Sequence, residues 1–244
     1  MDDCLHTGHR ERLKARFLAG GFDSFSDHNV LELLLFYAIP RKDTNEIGHE
    51  LIRRFGSLAG VLEASVEELM TVKGIGRHAA ILIHSILPIA FYYVRSRSDA
   101  AMGICDTVEK LIQYAKAQYV GTFKETAKLI LMDNHLRVMD CVTLAEGAAS
   151  RANFDARKIV ETAILRHAAM VVLMHNHPGG HPVPSGEDYE ATVRLGTVCE
   201  AVGVKLLEHL LVGEEETVPI LHWARTPAGQ DALATSEHSL NLNR

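Results

Sequence analysis

The residues in this chain best suited to chemistry are two histidines one position apart, His175 and His177, and a carboxylate further on, Asp188. Side chains on a strand repeat every second position, so both imidazoles share one face and can reach a single metal ion. Asp188 joins them if the Pro- and Gly-containing loop 178–185 folds back, and a site with three protein ligands keeps a coordination position for water. The same letters also have a plainer reading. Ser185 and Asp188 are spaced as the capping box that opens a helix, and histidines after a strand can be ordinary loop residues. The metal reading is favoured by context: the apolar run 170–174 reads as a buried strand before the histidines, and a helix start follows them.

The elements that must carry this site lie in the second part of the chain. Asp106 with Glu109 caps a helix to about Tyr119, strands cover 126–133 and 137–144 around an Asp133-Asn-His-Leu136 turn, and a helix spans Asp155–Ala168. After the strand 170–175 come a helix over 186–202 and strands over 205–212 and 217–221. The first ~95 residues read as helix only. Segments start at His9, Asn29, about Asp43 and Ser65, closed by Gly20-Gly21, Pro40 and Gly56, and a last helix runs from His78 to about Arg95. The reading is an α+β chain: a helical domain over 1–97, a linker over 98–105, a mixed α/β domain over 106–225 and a flexible tail over 226–244.

Within the helical part, Val72-Lys-Gly-Ile-Gly-Arg77 is a tight turn between helices and resembles the hairpin of helix-hairpin-helix modules. Its glycines let main-chain N–H groups approach a phosphate, which makes Lys73, Gly74, Gly76 and Arg77 candidate DNA-phosphate contacts. Gly-x-Gly turns also join helices that bind nothing. Arg10, Arg12, Lys14 and Arg16 would extend a basic face, although a charge run on a helix is most often its solvated side.

Composition restricts the options without choosing among them. The chain has 244 residues and a net charge of −6; residues 1–97 hold 12 Lys+Arg against 12 Asp+Glu, and residues 98–244 hold 13 against 19. A strongly basic nucleic-acid binder is excluded, so any DNA contact must be local. Four cysteines without CxxC spacing read as reduced packing residues. No secretory leader pattern begins the chain and no window approaches ~20 charge-free apolar residues, so a soluble cytoplasmic protein is expected. There is no internal repeat.

His175-x-His177-Pro178 with Pro184-Ser185-x-x-Asp188 is similar to the His-x-His-x(10)-Asp motif of JAMM metalloproteins, carried on MPN domains. Together with Gly8-His-Arg-Glu-Arg-Leu13, the segment 31–41 and Arg54-Phe-Gly-Ser-Leu58, it makes the chain resemble the bacterial RadC family over about residues 8–222. The resemblance implies an MPN (JAB/JAMM) domain of cytidine-deaminase-like fold and a zinc ion on His175, His177 and Asp188. It also implies a glutamate general base near the first strand. Glu125 is the candidate and Glu146 the rival. Ser185 takes the place of the serine that donates a hydrogen bond to a tetrahedral oxyanion. Zinc would lower the pKa of bound water to about 7, and the glutamate would carry its proton to a leaving amine.

The chain departs from the family in two places. Where the family reads His-Pro-Ser-Gly-Asp, this chain has His177-Pro-Gly-Gly-His181, which adds an imidazole, read here as a surface residue. Where the family reads His-Pro-Arg-Glu, it has Asp155-Ala-Arg-Lys158, keeping the arginine alone.

The expected function is a zinc-dependent hydrolase of the JAMM metallopeptidase type acting on an amide or isopeptide bond of a peptide or protein, with DNA association through the helical domain. The alternative is a DNA-repair or DNA-processing protein whose metal is structural. An HNH nuclease does not fit, because its residues come from separated positions of a ββα unit. A nucleobase deaminase lacks its Pro-Cys-x-x-Cys pair here.

Overall fold

The computed structural model describes residues 8–40, 42–100, 103–147, 155–179, 182–227 and 229–230. The chain divides into two compact units, Met1–Tyr92 and Tyr93–Arg244.

In the first unit, helices α1 (His9–Gly20), α2 (Asp27–Ala38), α3 (Asn45–Phe55), α4 (Leu58–Glu63), α5 (Val66–Leu69) and the first part of α6 (Arg77–Ala100) follow one another. Their apolar positions form one core that includes Leu31, Leu35, Leu51, Val61, Leu69 and Ile83. The Gly56 stop and the Ser65 start act as read, whereas α2 starts at Asp27 rather than Asn29, with Asp27 Oδ2 accepting from Leu58 N, and α3 starts at Asn45, whose N–H donates to Asp43 Oδ1. Gly56 ends α3 at φ 84°, and Ser65 and Glu68 form a reciprocal capping box on α5. The expected basic face on α1 is largely engaged inside the unit. Arg10 donates to the carbonyl oxygens of Ile39 and Pro40 at 2.7 and 2.9 Å and thereby closes the end of α2. Arg16 donates to Asn29 and lies over the Phe25 ring, and Lys14 pairs with Glu11. Buried Glu32 is held by His9, Asn29 and Asn45.

Helix α6 corrects two expectations. It continues to Ala100, so 98–100 are helical rather than linker, and the last turn is anchored by Asp99, which accepts from Tyr114 and Gln118. Between Arg77 and Asp99 it is also long and apolar enough to cross a membrane by length and composition, with the charge-free run 78–94 bounded by Arg77 and Arg95. Most of that stretch is exposed.

The second unit is built on a sheet of order β2-β1-β3-β4-β5. The hairpin of β1 (Thr126–Met132) and β2 (Val138–Glu146) is antiparallel, and β1 also pairs antiparallel with β3 (Met170–Asn176). Strand β4 (Lys205–Val212) runs parallel to β3, with helix α9 (Gly186–Ala201) as the crossover, and β5 (Thr217–Pro219) closes the sheet. Helix α7 (Val108–Tyr119) covers one face, packing Leu111, Tyr114 and Tyr119 on Ile130, Met132, Val172 and Met174. On the other face α9 and α8 (Ala156–Leu165) pack Ile159, Ala163 and Leu195 against Leu129, Leu131, Val171 and Leu173. Because β1 and β3 are covered on both faces, their central residues read as apolar runs, 129–132 and 170–174.

Three local expectations change. Thr107, not Asp106, caps α7; Asp106 pairs instead with Lys110. The strand expected over 217–221 stops at Pro219, which has no N–H to donate, and the Leu221 N–H goes to buried Glu208 as α10 (Ile220–Trp223) begins. The tail expected from Thr226 opens with a helical turn capped by the Thr226 hydroxyl, which accepts from Gly229 N; residues 231–244 lie outside the described set.

Candidate metal centre

Strand parity explains why the site residues meet. On β3, Val171 and Leu173 face α8 and α9 while Val172 and Met174 face α7. His175 therefore continues the α9 side, Asn176 turns to the α7 side, and His177, the first residue past the strand, returns to the α9 side. Asp188 enters from the first turn of α9. Its placement is set by the capping box: Asp188 N donates to Ser185 Oγ, while Asp188 Oδ2 accepts from Ser185 N and Oγ at 2.9 and 2.6 Å. With Oδ2 so held, Oδ1 stands 3.6 Å from His175 Nε2. Both residues are 5% exposed.

The donor set suits zinc: two imidazoles and a carboxylate. The His175–Asp188 separation is close to the roughly 3.3 Å edge of a tetrahedron with bonds of about 2.0–2.1 Å. The third ligand is not drawn in. His177 lies edge-on to His175 with ring centroids 5.1 Å apart, and among the described residues no three His, Cys, Asp or Glu side chains converge to a metal-holding group. His177 is followed by Pro178 and by Gly179 at φ 71°, so the third donor sits on a turn where the first two sit on packed elements. His181 lies outside the described residues.

Glu125 joins the same group. Ala127 is paired with His175, and extending that antiparallel register by two places sets Glu125 opposite His177. Its charge acts on His175. Burial pushes the His175 imidazole down to about 4, opposed by Asp188, reinforced by His177 and opposed by Glu125. Glu146, at the far end of β2, is exposed and pairs in register with Thr126. Ser185 keeps its hydroxyl proton on Asp188.

Three residues at the site were not found by sequence reading. Asn176 brackets Glu125: its Oδ1 accepts from Thr126 N at 2.7 Å and its Nδ2 donates to the Lys124 carbonyl at 3.1 Å. His209, wholly buried on β4, has Nε2 2.7 Å from His175 Nδ1, and Thr192, one turn beyond Asp188 on α9, has Oγ1 2.6 Å from His209 Nδ1. Burial, then His175, holds the His209 imidazole far below its usual range. One signal was available: Glu208 and His209 interrupt an otherwise apolar strand, where ionisable residues are rare unless engaged.

Beside His177 opens a cleft of about 550 Å³ lined by Tyr119, Phe123, Asn176, Pro178 and Val212 among others. A larger cavity of about 770 Å³, at Ile104, Lys110 and Arg137, contains none of the site residues, so size alone does not locate the chemistry. The Lys73–Arg77 turn lies in the other unit. There Lys73, Gly74, Gly76 and Arg77 are all exposed, and Gly74 has φ 97°.

Comparison with known proteins places both units of the chain. Residues 105–222 match the RadC-like JAB domain, and residues 6–81 match the UPF0758 N-terminal domain. A UPF0758 protein of Ruegeria pomeroyi is 31% identical over 206 residues, 84% of this chain and 92% of that protein. UPF0758 proteins of Coprothermobacter proteolyticus and Fusobacterium nucleatum are 29% and 30% identical over 86% and 87% of this chain, and over 91% and 94% of their own lengths.

Proposed function

This chain belongs to the UPF0758 family of proteins with a RadC-like JAB domain, and on that premise we propose that it is a cytoplasmic zinc-dependent hydrolase of the JAMM type, acting on an amide or isopeptide bond. The observation that carries the reading is the buried approach of Asp188 Oδ1 to His175 Nε2 at 3.6 Å, with His177 beside them at the end of the strand and the charge of Glu125 acting on His175. A zinc ion on the two imidazoles and the carboxylate would supply Lewis acidity and a water of lowered pKa.

The chain's own residues do the rest. Glu125, half exposed, takes a proton from the attacking water and returns it to the leaving amine. Ser185 fixes the Asp188 carboxylate, and its hydroxyl can turn to a developing oxyanion only by releasing Oδ2. Tyr119 and Phe123 give the cleft an apolar wall for an extended substrate.

Metal analysis of purified protein tests this. About one zinc per chain is expected in wild type, with loss in both His177→Ala and Asp188→Ala. Glu125→Gln should keep the zinc and lower turnover of peptide or isopeptide substrates by 10²-fold or more. Wild-type protein without stoichiometric metal overturns the hydrolase reading.

In that event the second reading, a DNA-processing module, gains support from the exposed Lys73–Arg77 turn with its left-handed Gly74. Fluorescence anisotropy with duplex DNA should then show binding that weakens steeply between 50 and 200 mM salt and is reduced by Lys73→Ala with Arg77→Ala. Equal binding by the double variant would remove the turn from that role.

A further inference from the structure

Five atoms form a continuous buried chain behind the candidate metal centre: the Asp188 carbonyl oxygen, Thr192 Oγ1, the two ring nitrogens of His209, and His175 Nδ1. The contacts are 2.6 Å from Thr192 Oγ1 to Asp188 O, 2.6 Å from Thr192 Oγ1 to His209 Nδ1, and 2.7 Å from His209 Nε2 to His175 Nδ1. Thr192 and His209 are both 0% exposed.

One proton must sit in each of these short contacts, and the carbonyl end sets their direction. A carbonyl oxygen only accepts, so the Thr192 hydroxyl donates to Asp188 O. Thr192 Oγ1 then accepts from His209 Nδ1–H, neutral His209 presents its Nε2 lone pair, and that nitrogen accepts from His175 Nδ1–H. The reversed chain fails on distance. It would leave two oxygen lone pairs facing each other at 2.6 Å with no proton between them. A doubly protonated His209 would place a full charge in the interior between two neutral partners.

We propose that Thr192 and His209 are positioning residues whose hydrogen-bond chain locks His175 in the tautomer with its proton on Nδ1, so that Nε2 faces Asp188 Oδ1 as an electron-pair donor. A histidine whose second nitrogen is fixed in this way needs no tautomer change to ligate a cation. Asp188 contributes to both ends: its side chain is a candidate ligand, and its backbone carbonyl is the terminus that sets the tautomer of the other ligand. The purpose of the relay rests on the zinc reading, but its existence does not.

The test is a long-range proton–nitrogen NMR correlation on 15N-labelled full-length protein stripped of metal with EDTA, with His175 assigned by difference from His175→Ala. Wild type is expected to show a pyrrole-type shift at His175 Nδ1 and a pyridine-type shift at Nε2. Thr192→Val removes the acceptor for His209 Nδ1–H, so both imidazoles should move their protons to the other nitrogen. Thr192→Ser should keep the wild-type pattern. Titration with zinc and a competing chelator should show affinity falling about tenfold or more in Thr192→Val and recovering in Thr192→Ser.

The relay is overturned if wild-type His175 carries its proton on Nε2, or if folded Thr192→Val keeps the wild-type pattern. If Thr192→Val does not fold, the wild-type spectrum alone decides. If wild type binds no zinc, the hydrolase reading falls, while the metal-free spectra still judge the relay.

Discussion

Among single residues, His175 has the largest expected effect on how the protein responds to pH. Its imidazole is held at about 4, against an ordinary value near 6.5, first by burial, with His177 adding to the shift and Asp188 and Glu125 opposing it. The unfolded chain therefore binds a proton that the folded chain refuses between those two values. The stability this contributes is complete above about pH 6.5 and is lost as pH falls towards 4. His209, also held low, adds in the same direction. Metal-free protein is expected to lose up to about 3 kcal/mol across that window, read by urea denaturation at a series of pH values. His209→Gln should flatten the slope. A midpoint independent of pH between 6.5 and 4 would contradict the burial argument. That His175 and His177 share one side of the sheet was legible in sequence at this scale because His-x-His states its own geometry. Thr192 and His209 were not, because their meaning depends on which strand lies beside β3, and no local pattern records that.

At the scale of elements, most boundaries were legible wherever a cap or stop is a local chemical event. Examples are Ser65 with Glu68 on α5, Gly56 after α3, and Asp155, which accepts from the backbone of Arg157 and Lys158 at the start of α8. Boundaries set by distant partners were misread: Asp99 extends α6 through contacts with α7, and Glu208 draws the chain out of β5 into α10. The turn before α6 offers a test. Gly74 has φ 97°, and a Cβ there would meet Ile47 Cδ1 at 2.9 Å. Gly74→Ala is expected to cost about 1–2 kcal/mol for the left-handed backbone alone, more with the Ile47 contact, measured as a shift in the denaturant midpoint. Gly76→Ala, with nothing within 4 Å, should be milder. Equal costs would mean that the turn does not depend on the Gly74 conformation.

For the whole molecule, each compact unit has a hydrophobic core of its own, so two unfolding events are expected. The single tryptophan, Trp223, lies in the second unit. Its fluorescence therefore reports that unit alone, while far-ultraviolet circular dichroism reports both. On the zinc reading, metal at about 100 times its dissociation constant should stabilise the fluorescence-detected transition by about 2.7 kcal/mol and leave the other unchanged. A shift of both transitions together would mean that the units unfold as one.

Asn176 has a role that the letters between two ligands do not suggest. Its neighbours point to one side of the sheet and its carboxamide to the other, where it grips the backbone on both sides of Glu125. Three consecutive residues at one strand end therefore carry two candidate ligands and the clasp that seats the carboxylate. If that strand end tilts or breathes, His175 and the Glu125 carboxylate move as one body. The spacing between Glu125 and His175 is thereby insulated from the motion of the neighbouring loop.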